Sequence, residues 1–247
     1  MKHQEELKQA AQLIREHNGF YALTGAGMST ESGIPDFRSP GTGLWEKIDP
    51  IATSSAEVLY KNPKLFYEVG FTRFVTISAA EPNPGHYALA GLEDLGLLKG
   101  LVTQNIDGLH VRAGSKKIWE VHGHLRTGSC LGCKRHFPFA ELIQQVEQKR
   151  IPPLCDHCSN MLRPDVVLFG DQMPALFFEA RETLEKDCDL LLVAGSSLVV
   201  YPVADLPRLA KKLIIINLEP TAYDSEADVV IREKCGQALT ELLGLLK

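Results

Sequence analysis

The sequence lacks any apolar run long enough to cross a membrane, since a spanning helix needs about 20 consecutive, mostly apolar residues. It also lacks the apolar core of a signal peptide after Met1, where polar residues lead directly into a helical pattern. We therefore expect a cytoplasmic location and no membrane partner. No internal repeat or low-complexity tract is visible.

The chain also lacks an excess of positive charge. Its 26 lysines and arginines are outnumbered by 31 aspartates and glutamates, which gives a formal net charge of −5. Broad nucleic-acid binding needs a basic surface, so no direct nucleic-acid partner is expected. The 247 residues, of which 45% are hydrophobic and 23% charged, are enough for a globular protein with a sizeable core.

The usual dinucleotide-binding fingerprint is incomplete, but a related glycine-rich loop is present. The apolar run 20–24 is predicted as a buried strand, and Gly25 and Gly27 follow it, with Thr30 in place of the third glycine. Glycine lets the backbone turn tightly and lets a ligand approach its N–H groups. The loop therefore predicts a nucleotide phosphate site, and the segment 34–38 adds acidic, aromatic and basic side chains.

Near-continuous apolar runs that alternate with helical patterns predict a parallel sheet covered on both faces. A first amphipathic helix carries apolar residues at helical spacing over 7–14, and another helix is predicted over 86–95. The predicted strands are 20–24, 101–103, 117–121, 166–169, 190–194 and 213–216. We therefore predict an α/β fold with a doubly wound parallel sheet.

Polar residues follow five of these predicted strands. Ligands of open α/β sheets bind in the crevice at the carboxyl ends of the strands, so this edge is the predicted active face. The residues are Gly25, Gln104, Asn105, Asp107, His122, Ser196, Ser197 and Asn217.

Four of the six cysteines form two CxxC pairs, Cys130 with Cys133 and Cys155 with Cys158, separated by 21 residues. Two such pairs are typical of a tetrahedral zinc site. Four thiolates leave no open position for a substrate, so the predicted metal is structural. Free or disulfide-bonded cysteines are the alternative, although a reducing cytosol disfavours disulfides.

His122 ends a predicted strand, precedes Gly123 and lies on the predicted active face. The pKa of histidine suits it to general-base catalysis near neutral pH. Its position alone leaves two interpretations open, a catalytic base and a hydrogen-bonded structural histidine.

Taken together, these features resemble the sirtuin family of NAD-dependent protein deacylases, over residues 20–235. The segment Gly195 to Pro202 is similar to the bacterial branch of that family, whereas Asp171 departs from the usual glutamate. The resemblance is carried, in chain order, by Gly25-Ala26-Gly27-Met28-Ser29, Gly33-Ile34-Pro35-Asp36-Phe37-Arg38, Thr103-Gln104-Asn105-Ile106-Asp107-Gly108-Leu109-His110, His122-Gly123, the CxxC pairs, Arg163-Pro164, Phe169-Gly170 and Gly195-Ser196-Ser197-Leu198.

The resemblance implies two domains and an activity. Residues 1–39, 84–123 and 164–247 would form a Rossmann-type NAD-binding domain. Residues 40–83 and 124–163 would form a smaller domain, helical in its first part and zinc-binding in its second. The implied enzyme is an NAD-dependent protein deacetylase that moves the acetyl group of an acetyl-lysine protein or peptide to ADP-ribose. It would release nicotinamide and 2′-O-acetyl-ADP-ribose.

The resemblance also assigns site residues one by one. His122 and Asn105 would be catalytic, with His122 as the general base. The implied NAD-binding residues are Gly25, Ala26, Gly27, Thr30, Asp36, Phe37, Arg38, Gln104, Asn105, Ile106, Asp107, His122, Gly195, Ser196, Ser197, Asn217, Leu218 and Cys235. The implied substrate-binding residues are Val166, Val167, Phe169, Gly170 and Val199, and the zinc ligands are Cys130, Cys133, Cys155 and Cys158.

The resemblance also predicts which acyl group the enzyme removes from lysine. Sirtuins that prefer succinyl or malonyl lysine resemble one another in carrying a tyrosine and an arginine three residues apart. Here Tyr60 is followed at that spacing by Pro63, and Tyr67 by Gly70, while Arg73 is off the spacing. A neutral, apolar pocket for acetyl-lysine is therefore expected.

Three rival functions share some of these features. A protein ADP-ribosyltransferase could use the same loop and His122, and a dehydrogenase would share the sheet but reduce NAD to NADH. A zinc-ribbon nucleic-acid binder is disfavoured by the net charge of −5.

Overall fold

The structure, a computed structural model, describes residues 2–35 and 50–247. The predictions made for Asp36, Phe37 and Arg38 lie outside these residues. Within the described ranges, no helix has the length and apolar character that a membrane crossing requires.

Six parallel strands form the main sheet, in the spatial order β3-β2-β1-β7-β8-β9. Chain order runs outward from β1 to one edge and then from β7 to the other, which is the Rossmann arrangement. The sheet therefore has its topological switch point between β1 and β7. The strands are β1 (Phe20–Thr24), β2 (Leu98–Thr103), β3 (Ile118–Glu120), β7 (Leu190–Ala194), β8 (Lys212–Ile216) and β9 (Val229–Ile231).

Two separate apolar cores cover the two faces of this sheet, because successive strand residues point to opposite faces. Phe20 and Ala22 of β1 join the core of helices α1 (Lys2–Glu16), α6 (Pro84–Asp94) and α10 (Cys235–Leu246). Tyr21 and Leu23 join the opposite core, which contains residues of α9 (Ala175–Asp187) and of the 3-10 helix Val203–Leu209. The predicted doubly wound fold is confirmed.

A second, smaller body packs around its own core. It contains the antiparallel sheet β5-β4-β6 and α8 (Phe139–Glu147), and buried apolar residues of the segment 56–77 share that core. The strands are β4 (Gly123–Cys130), β5 (His136–Pro138) and β6 (Leu162–Val166). The helical segment comprises α2 (Pro50–Ser54), α3 (Ala56–Lys61), α4 (Pro63–Leu65), a π-helical turn (Phe66–Gly70) and α5 (Phe71–Ser78). A short helix, α7 (Leu109–Arg112), follows β2.

One predicted strand is wrong. The apolar run 166–169 was expected in the parallel sheet, but the strand ends at Val166 and pairs antiparallel with β4. Its residues alternate between buried and half-buried, as expected for a strand of a smaller sheet with only one well-covered face. Residues 167–170 instead form a loop beside the main sheet. The proposed domain boundary at 163–164 therefore falls inside β6.

Candidate active site at the switch point of the sheet

A cavity of about 570 Å³ opens at the carboxyl edge of the main sheet, where the chain direction reverses between β1 and β7. This size suits a cofactor or substrate rather than a single ion. Residues from both bodies line it, including the segments 25–30, 104–107, 166–171 and 195–197.

The loops that follow β1 and β7 approach each other closely and form the floor of the cavity. The Gly27 N–H donates to the Gly195 carbonyl over 2.8 Å. Gly195 has a positive φ of 64°, and a Cβ there would lie 2.2 Å from the Met28 nitrogen. Glycine is therefore required at 195, because any side chain would push the two loops apart.

Beside this floor, one amide and one carboxylate are locked together by a buried serine. The Asn105 side-chain nitrogen donates to Ser29 Oγ and to the Gly25 carbonyl, each over 3.0 Å. Ser29 Oγ donates to Asp107 Oδ2 over 2.7 Å, and the Leu109 N–H donates to Oδ1 over 2.9 Å. Burial nevertheless raises the pKa of Asp107. The cluster presents fixed acceptor oxygens that suit the N–H groups of a planar amide of a ligand.

His122 lines the same cavity with one ring nitrogen already committed. Its Nδ1 lies 3.0 Å from the backbone carbonyl of Gln104. A carbonyl can only accept, so Nδ1 carries the hydrogen and Nε2 of the neutral ring keeps a free lone pair. Burial lowers the pKa of His122, against the opposing effect of this hydrogen bond. His122 is therefore an oriented neutral base at pH 7.

Gln104 and Ser196 connect the ends of β2 and β7 across the cavity. The Gln104 side-chain nitrogen donates to Ser196 Oγ over 3.0 Å, and Ser196 Oγ also accepts the Leu198 N–H. Further along the same edge, Asn217 is buried, and its side chain donates to the Glu219 carbonyl over 2.7 Å. Both ends of the cavity are thus lined by polar side chains whose positions are fixed.

The four CxxC cysteines come together at the far end of the smaller body. Their sulfur atoms all lie within 4.8 Å of one another, and the Cys130–Cys158 and Cys133–Cys155 separations are 3.4 and 3.7 Å. Tetrahedral zinc with Zn–S bonds of about 2.3 Å separates its sulfurs by about 3.8 Å. The four ligand atoms therefore fit zinc, with the coordination sphere filled by protein.

A buried hydrogen-bond chain supports the amide–carboxylate cluster from below. The Asn105 N–H donates to Thr103 Oγ1, which also accepts from Thr24 Oγ1, and His110 Nε2 lies 3.0 Å from Thr24 Oγ1. The ring of His86 packs at 4.7 Å from that of His110. Burial lowers the pKa of His86 to about 4, and it lowers the pKa of His110 well below its usual value.

These two histidines predict a loss of stability in mild acid. In the unfolded chain both histidines titrate near pH 6.5. Below that pH the unfolded state binds more protons than the folded state, which lowers the free energy of unfolding. The free energy of unfolding should fall by about 3 kcal/mol for His86 alone between pH 6.5 and 4. Urea unfolding at pH 7, 5.5 and 4 measures this fall. His86→Gln should flatten the slope, and His17→Gln should not; equal slopes in all three proteins would contradict the prediction.

The sequence model of the Sir2 family matches residues 25–202 of this chain. This range includes the glycine-rich loop, the amide–carboxylate cluster, His122 and the four cysteines. The chain belongs to the Sir2 family. The match covers well over half of the chain and ends just beyond β7, so it contains both sides of the switch point.

Known members of the family are similar over their full length. A curated relative from Caldanaerobacter subterraneus subsp. tengcongensis, named NAD-dependent protein deacetylase 2, is 54% identical over 240 residues, covering 97% of this chain and 96% of the relative. A solved structure described as Sir2 with p53 peptide and NAD⁺ has a TM-score of 0.86 and 35% identity, covering 96% and 97% of the two chains. A Sir2 structure with an inhibitor, 2′-O-acetyl-ADP-ribose and deacetylated p53 peptide has a TM-score of 0.85 and 35% identity, covering 97% and 100%.

The structure brings most of the expected Sir2 site residues to this cavity. Val199 is exposed but does not line it, and Asp36, Phe37 and Arg38 lie outside the described residues. The expected residues that line the cavity are Gly25, Ala26, Gly27, Thr30, Gln104, Asn105, Ile106, Asp107, His122, Val166, Val167, Phe169, Gly170, Gly195, Ser196, Ser197, Asn217, Leu218 and Cys235.

Some residues of the cavity wall were not assigned a role from the sequence. Ser29 is the most informative, because it bridges Asn105 and Asp107 and is 1% exposed. Its place between Gly27 and Thr30 in the glycine-rich loop was a usable signal. Phe74 and Ile77 of α5 carried no such signal, because apolar residues on a short helix are ordinarily core.

Proposed function

We propose that this chain is an NAD-dependent protein-lysine deacetylase. Acetyl-lysine peptide, NAD and water give the lysine peptide, nicotinamide and 2′-O-acetyl-ADP-ribose. The observation that carries the proposal is the neutral, oriented His122 facing the same cavity as the Asn105–Ser29–Asp107 cluster, in a Sir2-family fold. NAD is consumed in this reaction and is not reduced.

Different residues along the cavity bind different parts of NAD. Ala26 and Thr30 of the glycine-rich loop hold the ribose and phosphates, while Ser196, Ser197, Asn217, Leu218 and Cys235 line the adenosine end. Asn105, Ile106 and Asp107 surround the nicotinamide amide, and the Asp107 carboxylate accepts from its N–H group. His122 accepts a proton at Nε2 from a ribose hydroxyl, which makes that oxygen a nucleophile towards the transferred acyl group.

The loop after β6 and the exposed Val199 would receive the peptide as an added strand. Zinc held by the four cysteines would act only structurally, because no coordination position is left for a substrate. A cytosolic location is part of the proposal, since a reducing compartment keeps cysteine thiols from forming disulfides.

The deciding experiment incubates the protein with NAD and an acetyl-lysine peptide. We expect loss of the acetyl group together with an equal amount of released nicotinamide. Labelled ADP-ribose left on protein would indicate an ADP-ribosyltransferase instead, and absorbance rising near ~340 nm would indicate a dehydrogenase. Either result without deacetylation would refute the proposal.

The acyl group should be small and neutral. Tyr67 is fully buried, with its hydroxyl donating to the Leu162 carbonyl, and Tyr60 does not line the cavity. Phe74 and Ile77 give the cavity an apolar wall, and Arg73, which also lines it, already has an interaction partner within the protein.

We therefore predict that acetyl-lysine is favoured over succinyl-lysine by more than about tenfold in kcat/KM, since an unpaired buried charge costs several kcal/mol and each tenfold is about 1.4 kcal/mol. Parallel kinetics on one peptide carrying either acyl group at the same lysine measure the ratio. Equal or faster turnover of the succinyl peptide would contradict the prediction. In that case Arg73→Met should abolish succinyl turnover selectively.

A further inference from the structure

The loop 167–171 leaves β6 and becomes part of the cavity wall. At its first residue, the Val167 N–H donates over 2.8 Å to the backbone carbonyl of His122, the proposed general base. The start of the loop is therefore bonded directly to that residue. In the middle, the Phe169 carbonyl accepts the Ala56 N–H over 3.0 Å, which ties the loop to α3. The loop is therefore held between His122 and the helical segment 50–78.

A partly buried ion pair closes the loop at its far end. Arg163 Nη2 donates to Asp171 Oδ2 over 2.6 Å and to the Val166 carbonyl over 2.9 Å, and Nη1 lies 3.3 Å from Asp171 Oδ1. The side chains of Arg163 and Asp171 are only 16% and 19% exposed. One guanidinium thus holds both the residue before the loop and the residue that ends it.

The same carboxylate also fixes the loop backbone from inside. Asp171 Oδ2 accepts the Leu168 N–H over 2.9 Å, while the Asp171 N–H donates back to the Leu168 carbonyl over 2.9 Å. Residues 168 to 171 therefore form a turn closed by both side chain and backbone. Charge-assisted bonds of this kind are shorter and stronger than neutral ones, and they set geometry as well as energy.

We propose that Arg163 and Asp171 are positioning residues for the acylated peptide, acting through the backbone of the loop 167–171. This inference rests on the proposed function. A peptide that adds as a strand takes its affinity from main-chain hydrogen bonds, which require carbonyls and N–H groups already held in register. Without the ion pair the loop must be ordered on binding, and that ordering cost is subtracted from the affinity of the peptide.

The test is Asp171→Asn, which keeps the shape of the side chain and removes its charge. We expect the KM of the acetylated peptide to rise about tenfold, the effect of losing one charge-assisted hydrogen bond. The KM of NAD should stay unchanged, because the residues that line the NAD end of the cavity do not contact the ion pair. Asp171→Glu, which restores the charge, should recover most of the peptide affinity.

A matched control separates positioning from general stability. Asp228 makes the same kind of contacts elsewhere: it accepts the Leu213 N–H over 2.9 Å, pairs with Lys212 over 2.6 Å and does not line this cavity. Asp228→Asn should leave the peptide KM at the wild-type value. Arg163→Lys provides a second variant, since lysine keeps the charge but cannot form the two-pronged contact, and it should also raise the peptide KM.

A wild-type peptide KM in both Asp171→Asn and Arg163→Lys would overturn the inference, as would an equal rise in Asp228→Asn. These results would leave the proposed function standing, because the wild-type protein would still deacetylate the peptide. Failure of the wild-type protein to deacetylate any acetylated peptide would refute the proposed function itself, and this inference with it.

Discussion

His122→Ala should slow deacetylation by about 10²- to 10⁴-fold, the usual contribution of a positioned general base. The ring nitrogen Nδ1 is already engaged by the Gln104 carbonyl, so the substitution removes the free Nε2 lone pair of His122 from the cavity. NAD binding should survive, because the amide–carboxylate cluster and the glycine-rich loop do not depend on the imidazole.

His124→Ala is the matched control. His124 lies two residues after His122, in β4, and does not line the cavity. Its substitution should leave the deacetylation rate close to that of the wild type. Thermal unfolding of both variants checks that the fold is intact. Wild-type turnover by folded His122→Ala would rule out the assignment of His122 as the base.

The pH profile gives a second measurement of the same residue. A general base must be unprotonated, and burial lowers the pKa of His122 below the ordinary value of about 6.5. The rate should therefore remain high as pH falls through 6.5 and decline only at lower pH. In His122→Ala this acidic decline should disappear from the residual activity. A wild-type decline centred well above pH 6.5 would mean that another group controls the reaction.

The main sheet could be predicted because its strands are buried on both faces. Such strands are continuous apolar runs, and β1, β7 and β8 were found within a residue of their bounds. The strand β6 is not a continuous apolar run, because it contains Arg163, Pro164 and Asp165. The strand was therefore predicted too late in the chain, over the apolar residues 166–169. Residues 167–169 of that run belong to the loop that lines the cavity.

The members of the candidate site could be predicted, but their contacts could not. Polar residues at strand ends identify the active face, because parallel strands end at one edge. The bond between Ser29 and Asn105 depends on β1 and β2 being neighbours, which hydrophobic patterning does not reveal. The ion pair between Arg163 and Asp171 likewise depends on how the loop after β6 turns back.

The cysteine site could be predicted from the spacing of neighbouring residues, because each CxxC pair needs only a tight turn. In the structure Lys134 N donates to the Cys130 carbonyl, and Ser159 N donates to the Cys155 carbonyl, so each pair is closed by a short backbone bond. Bringing the two pairs together requires β4 and β6 to pair, which the structure shows.

Replacing Cys130 with alanine should remove zinc and unfold the smaller body around it. Cys130 and Cys155 are buried in the same core as Leu142 and Leu162, so zinc there would tie the end of β4 to the segment that precedes β6, within the core that α8 shares. Structural zinc contributes about 10 to 16 kcal/mol of apparent binding energy in small peptides, and here much of that energy would be lost.

The expected result is low metal content, a lower melting temperature and little activity in Cys130→Ala. Amide hydrogen exchange should rise first in β4, β5, β6 and α8, while the main sheet, with its two separate cores, stays protected. Activity falls because β4 begins at Gly123, directly after His122, and loses the pairing that holds it beside β6.

Cys188→Ala is the control for this prediction, since Cys188 is a buried cysteine in the core of α9 and is not among the four clustered sulfurs. It should keep full zinc content, exchange protection of the smaller body and activity. Metal analysis, exchange and deacetylation are measured on both variants. A zinc-free Cys130→Ala protein that remains folded and fully active would contradict the prediction, because the cluster would then support neither the smaller body nor the pairing of β4 beside His122.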